Sequence, residues 1–274
     1  MVPDARADPV DGPLDGPLDG PLDPLAHFRL DGRVAIVTGA SSGIGARAAR
    51  VLDALGATVV VSARRTDRIE ALAASLTNGD AITCDVSVPG ASAALVEQTV
   101  ERHGALDVVF ANAGITTTAP ALREPLDRFA EVVAVDLVAP FELAQAAVAH
   151  MRAAGRGGSI VNVASAAAFT STSLLPQAGY VAAKTGLVGL TRELALQWAR
   201  YGVRVNALCP GMFASEMTAA LVDVDELRTR FESSVPLQRI GAAHELDGAI
   251  AFLASPASSY VTGTTVLVDG GGRA

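Results

Sequence analysis

Short aliphatic runs recur along the chain at regular distances: Val34–Val37, Thr58–Ser62, Ala81–Cys84, Val108–Ala111, Ser159–Val163, Val203–Leu208 and Thr265–Val268. Between them lie longer stretches with apolar residues at helical spacing: 43–55, 66–76, 90–103, Leu126–Ala153, Ala178–Tyr201 and His244–Ala254. The short runs are apolar throughout rather than alternating, which predicts strands buried on both faces. Strands that alternate with helices predict a parallel sheet covered on both sides. Right-handed crossovers then make the α/β domain doubly wound, with seven parallel strands and no room for a separate substrate domain. The stretch 212–235 carries no strand signal and reads as a mobile cover over a substrate site.

The first 26 residues follow neither period. Residues 11–22 read DGPLDGPLDGPL, and Asp-Gly-Pro breaks helix and strand alike. Residues 1–27 are therefore expected to be a disordered acidic tail, and 28–274 the folded domain. Six aspartates and Arg6 lie in residues 1–26, so most of the net charge of −8 belongs to the tail. No basic patch remains to suggest a nucleic-acid partner. Only 4% of the residues are aromatic while 50% are hydrophobic, so the core must be aliphatic. Cys84, Cys209 and the four histidines fall in no metal-ligand pattern, and no metal is expected. The N-terminus lacks an apolar signal region, which points to the cytoplasm. Residues 157–183 carry no charge, but Asn162, Pro176, Gln177 and the Ser/Thr cluster at 170–173 argue against a membrane span.

The first strand runs directly into Thr38-Gly-Ala-Ser-Ser-Gly-Ile-Gly45 and then a helix. Gly39 permits a tight turn, Gly43 a close approach of backbone to a pyrophosphate, and Gly45 close packing of the helix on the sheet. Ser41, Ser42, Ile44 and the free N–H groups of the helix start complete a phosphate cradle. Its position after the first strand makes a Rossmann-type dinucleotide site the expected reading. An NAD site places an acid at the end of the second strand. Here Ala63 stands there, followed by Arg64 and Arg65, whose guanidiniums suit a 2′-phosphate. NADP(H) is therefore expected over NAD(H).

Tyr180 and Lys184 lie four apart in a helical stretch, hence on one face. A tyrosine of ordinary pKa near 10 is a poor base at neutral pH. An ammonium at about 4 Å attracts the phenolate by on the order of 4 kcal/mol at an effective dielectric of about 20.

With these motifs the sequence resembles the classical short-chain dehydrogenase/reductase family over about residues 30–272. The motifs occur in order: TGxxxGxG, Asp85 after the third strand, Asn112-Ala113-Gly114 after the fourth, Ser165 after the fifth, Tyr180/Lys184, Pro210-Gly211 after the sixth, and the terminal Val268-Asp-Gly-Gly271. The resemblance implies an oxidoreductase that moves a hydride between a nicotinamide cofactor and a ketone or secondary alcohol. Asp85 and Val86 would contact the adenine, and Asn112, Ala113 and Gly114 would line the cofactor. Ser165 would hold the substrate oxygen, Tyr180 would exchange the proton, and Lys184 would favour the phenolate and bind the nicotinamide ribose. Pro210, Gly211, Phe213 and Ser215 would flank the nicotinamide. The resemblance also implies a homodimer or homotetramer built on the helices at 126–153 and 178–201.

Two departures stand out. Asp136 occupies the place where the family usually has a catalytic asparagine, whose backbone carbonyl holds a water near the lysine. Its carboxylate either strengthens the field that keeps Lys184 charged or merely shapes the helix. Ser165 precedes Tyr180 by 15 residues where 13 is usual, which lengthens a loop bordering the substrate. Phe169, Gln177, Met212 and Met217 fall in pocket-lining segments, with Leu174 and Leu175 nearby. None is charged, so a neutral carbonyl compound or alcohol is the expected substrate. Two other readings stand beside this one: a 3-oxoacyl-carrier-protein reductase, and a non-catalytic NADP sensor.

Overall fold

The computed structural model describes residues 23–171, 175–216, 218 and 224–273. The described strands are β1 (Val34–Thr38), β2 (Thr58–Ala63), β3 (Gly79–Thr83), β4 (Val108–Ala111), β5 (Gly158–Val163), β6 (Val203–Pro210) and β7 (Thr265–Val268). All pairings between them are parallel, in the order β3-β2-β1-β4-β5-β6-β7. The described helices are α1 (Gly43–Ala54), α2 (Thr66–Ala74), α3 (Ala91–His103), α4 (Leu126–Val133), α5 (Ala139–Ala153), α6 (Ala178–Trp198), α7 (Asp225–Ser234) and α8 (Asp247–Ala254).

Alternate residues of each strand feed two separate cores, as the period of two requires. Ala35 and Val37 face a layer of α1, α2 and α8, with Leu52, Ile69 and Ile250 among its buried side chains. Ile36 faces the other layer, of α3, α5 and α6, with Leu95, Leu143 and Leu194. Both faces are thus covered, and strands such as β1 are buried at every position. The strand order reverses between β1 and β4. Connections leave these strands in opposite directions, which opens a crevice at their carboxyl ends.

Several boundaries differ from the expected ones. The edge strand β3 starts two residues early, at Gly79, because its register against Val59–Ala63 recruits Gly79 and the charged Asp80, neither of which carries an apolar side chain. β6 runs on to Pro210, since Cys209 and Pro210 pair with Leu267 and Val268. The 212–235 stretch contains α7, whose exposed residues give no apolar face to read. The expected helix from Leu126 to Ala153 is interrupted by a π-helical turn at Ala134–Val138. The uncharged 157–183 region contains β5 and the start of α6. Among the described residues, Leu126–Ala153 is the stretch long and apolar enough to cross a membrane by length and composition. Half of its most apolar window is buried inside the domain, as suits a core helix.

Candidate active site

The cradle lies at the crevice between β1 and β4. Gly39 has φ +65°, and a Cβ there would stand 2.8 Å from both Ala113 Cα and Asn112 Nδ2. No other residue fits both the conformation and the space. Thr38 and Asn112 lock the two strand ends together. Thr38 Oγ1 accepts from the amides of Asn112 and Ala113 at 3.1 Å, and Asn112 Nδ2 donates to Thr38 O at 3.0 Å. A cleft of about 440 Å³ opens beside them. Gly39, Ser41, Ser42, Gly43, Ile44, Arg64, Arg65, Asp85, Val86, Asn112, Ala113, Gly114 and Ser215 all line it. Gly45 lies in the first turn of α1, buried against the cradle turn. Of the expected cofactor contacts, then, the whole adenosine and pyrophosphate side is brought together.

At the lip of the cleft, Arg65 donates to Ser41 Oγ from Nε at 3.1 Å and from Nη2 at 2.8 Å, and to Ser42 Oγ at 3.1 Å. Arg64 is exposed and also lines the cleft. Asp85 accepts from the amide and hydroxyl of Ser87. Burial works to raise its pKa, but these bonds and Arg64 outweigh it and hold the carboxyl below its ordinary value.

The polar centre is built on α6 and the π turn. Residues Tyr180 and Lys184 share one face of α6, with the ammonium 5.7 Å from the phenol ring centroid. Lys184 Nζ donates to Val163 O at 2.9 Å and stands 3.1 Å from Asp136 Oδ2. The π turn adds a residue to the helix and directs Asp136 inward, where it is fully buried. Asp136 Oδ1 accepts from the Ile115 amide at 2.8 Å, next to Gly114. Oδ2 accepts no well-aligned hydrogen bond from the described residues and has the Lys184 ammonium as its ionic partner. Burial pushes the Asp136 carboxyl up, with Lys184 and the Ile115 amide working against it. Burial works to lower Lys184, but Asp136 and then Tyr180 outweigh it, so the ammonium is held above its ordinary value. Of the two roles open to Asp136 in the sequence, the geometry realises the ion pair.

Ser165 ends the β5 connection, and its Oγ accepts from Ala167 N at 3.1 Å. The short 3₁₀ turn Ala166–Phe169 that follows packs on α6, which keeps Ser165 beside the Tyr180 helix. Behind it, burial pushes the Cys209 thiol up to about 11, with the Ser165 amide and Lys184 pulling the other way. Phe169 is exposed, and Gln177 Oε1 accepts from Thr116 Oγ1 at 3.4 Å.

The residues expected at the nicotinamide side lie at the end of β6 and beyond it. Phe213 is only 6% exposed, packs in the core, and with Met212 lines a second cavity together with Leu237, Gly241 and Asp269. A bridge pairs Phe213 with Gly241, and the chain then returns to the cleft at Ser215 and Glu216. Pro210 pairs with Val268 of β7, and Gly211 packs against Asp269 just beyond it. Met217 and Leu174 lie outside the described residues. Sequence reasoning missed Ile115, whose amide orients Asp136, and Glu216, which also lines the cleft. Neither belongs to a spacing motif, because each acts through a contact between distant segments.

The family model described as enoyl-(acyl carrier protein) reductase matches residues 39–272. The chain belongs to the short-chain dehydrogenase/reductase family. As a member it is an NAD(P)-dependent oxidoreductase of the alcohol/carbonyl couple. It is 33% identical over 252 residues to the 2-dehydro-3-deoxy-D-gluconate 5-dehydrogenase of Escherichia coli, covering 90% of this chain and 98% of the relative. It is 36% identical to a 3-oxoacyl-(acyl-carrier-protein) reductase of Vibrio cholerae, covering 88% and 98%. A crystal structure of a gluconate 5-dehydrogenase from Burkholderia cenocepacia, in complex with NADP and tartrate, aligns with TM-score 0.86 at 36% identity, covering 91% and 98%.

Proposed function

We propose that this short-chain dehydrogenase/reductase is an NADP-preferring reductase of neutral ketones, with Tyr180 as the proton donor. The observation that carries the proposal is the buried Lys184, held by Asp136 and Val163 O within 5.7 Å of the Tyr180 ring. When bound, the nicotinamide cofactor supplies the hydride. The residues present fit such a cofactor, since Gly39, Gly43, Arg64 and Arg65 all line one cleft. Ser165 and Tyr180 hydrogen-bond the carbonyl oxygen, where negative charge grows as the carbon is reduced. Tyr180 gives its proton to that oxygen, and the Lys184 ammonium stabilises the charge left on the phenol. A panel of ketones and alcohols scored by NADPH fluorescence tests this. Turnover of neutral ketones is expected; a panel in which none turns over overturns the proposal.

A second reading, reduction of an acyl chain carried on an acidic protein, has one observation in its favour. Arg273 Nε donates to Ala166 O at 3.2 Å, which sets an exposed guanidinium next to the Ser165 turn. A 3-oxoacyl thioester in the same panel distinguishes the two readings.

The cofactor preference rests on Ala63, which lines the cleft without a carboxylate, and on Arg64 and Arg65 beside it. Ala63→Asp combined with Arg64→Gln is expected to invert the preference toward NADH. Binding titrations in which the unmodified protein holds NADH more tightly than NADPH would sink the assignment.

The assembly proposed is a homodimer or homotetramer working in the cytoplasm. Leu126, Val138 and Leu196 are exposed on or beside α4, α5 and α6, more apolar surface than this sheet face uses. Light scattering at micromolar concentration is expected to give a multiple of the chain mass. A monomeric mass refutes it. Residues 1–27 are proposed to be a dispensable tail; deleting 1–26 is expected to leave kcat and Tm nearly unchanged, and a large loss of either would show a docked segment.

A further inference from the structure

Glu216 lies far from the cradle in sequence and touches it in space. Its Oε2 accepts from Ser42 Oγ at 3.0 Å and stands 2.9 Å from Arg65 Nη1. Its Oε1 pairs with Arg68, in the first turn of α2. The short turn that carries it is held by Thr218, whose Oγ1 accepts from the Ser215 amide at 2.9 Å and donates to Phe213 O at 2.7 Å. Ser215 itself is set close to Gly43 of the cradle, since a Cβ on Gly43 would stand 3.4 Å from Ser215 Cβ. One carboxylate therefore sits on two guanidiniums and a cradle hydroxyl, at the end of the cleft where Ala63 and Arg64 would receive the adenosine ribose.

We propose that Glu216 is a built-in competitor for the cofactor's 2′-phosphate, and that Arg68 joins Arg65 as the cation pair the phosphate takes over from it. The inference rests on the NADP reading above. Charge and shape both favour it. A 2′-phosphate carries about −1.5 to −2 and presents three acceptor oxygens. Arg65 and Arg68 together supply the matching positive charge and several donors, now engaged by the two oxygens of Glu216. The carboxylate is bonded where the phosphate would bond, so both cannot hold the pair at once. NADH has no 2′-phosphate and leaves Glu216 in place. Glu216 thus lowers affinity for NADPH selectively, and discrimination between the cofactors is the balance of three side chains rather than of the β2 end alone.

The bonds from Arg68, Arg65 and Ser42 hold the Glu216 carboxyl down to about 2. Glu216 is therefore charged around neutral pH, and the competition is no pH switch there.

The test is equilibrium titration with two pairs of probes, NADPH against NADH, and adenosine 2′,5′-bisphosphate against 5′-AMP. Glu216→Gln keeps the side-chain length and removes the charge. It is expected to tighten NADPH and the bisphosphate by about 1.5- to 5-fold, the range of a solvent-exposed ion pair, with NADH and 5′-AMP unchanged. Arg68→Gln is expected to weaken the two phosphorylated probes by a similar factor. Equal shifts for both members of a probe pair, or weaker NADPH binding in Glu216→Gln, overturn the inference; so does an Arg68→Gln variant with unaltered NADPH affinity. Both sites are exposed, and an unchanged Tm confirms folding. A wild-type protein that prefers NADH would refute the NADP reading by itself. The Glu216→Gln ratio with the nucleotide fragments would still decide the competition.

Discussion

Tyr180→Phe is expected to lower kcat for carbonyl reduction by about two to four orders of magnitude, the usual contribution of a positioned proton donor. The substitution removes one hydroxyl and keeps the ring that stands 5.7 Å from the Lys184 ammonium. Packing around α6 is untouched, so Tm and the affinity for NADPH should stay within about a factor of two of the wild type. The effect should fall on kcat more than on KM, because proton donation matters only as charge develops on the oxygen. Ser165→Ala should be milder, since it removes one of two hydrogen bonds to that oxygen but leaves the proton source. Steady-state kinetics together with a cofactor titration checks this. A Tyr180→Phe variant with near-normal turnover would overturn the mechanism.

Lys184→Ala is expected to abolish turnover and to destabilise the fold. Lys184 and Asp136 are both buried, and removing one partner of such a pair leaves the other charge without compensation. The typical cost is about 3–5 kcal/mol, and Asp136 limits it by taking a proton. A loss of about 3 kcal/mol at pH 8 would lower Tm by roughly 6–12 °C in a domain of this size. The sign of the pH dependence follows from the direction of the Asp136 shift. Its pKa is already raised by burial, and without Lys184 it rises further. Between the unfolded and folded values the native state binds more protons than the unfolded one, so stability falls as pH rises. The Tm deficit of the variant relative to wild type should therefore be larger at pH 8 than at pH 5. A deficit that is flat over this interval would mean that Asp136 does not depend on Lys184. Asp136→Asn, which restores the residue the family usually carries, should keep most of the activity and remove this pH dependence.

The glycine cradle was legible because local backbone demands wrote it into one continuous stretch. The positive φ at Gly39 and the crowding by Ala113 leave only glycine there. The strands were legible for a related reason. A strand buried on both faces, such as Val34–Thr38, shows itself as an unbroken apolar run. Tyr180 and Lys184 could be paired because a helix turns once in 3.6 residues. In all these cases the residues that cooperate are neighbours along the chain.

What the sequence left open depends on pairs distant in the chain. Whether Asp136 meets Lys184 turned on a π turn that no spacing rule announced, and on the Ile115 amide arriving from the β4 side. Where β3 begins was decided by its register against β2, not by its own weak hydrophobicity. Phe213 has the right position in the motif order to reach a nicotinamide. That it is also bridged to Gly241 and packed in the core could be read only from the fold. Glu216 reads as one acid in a variable stretch until the fold sets it on Arg65 and Arg68. Short-range steric and periodic constraints act through local sequence, and sequence alone determined what they govern here: the domain type, the cradle and the Tyr–Lys pair. Electrostatic and packing partnerships close loops of tens to more than a hundred residues, so only the tertiary structure decided them.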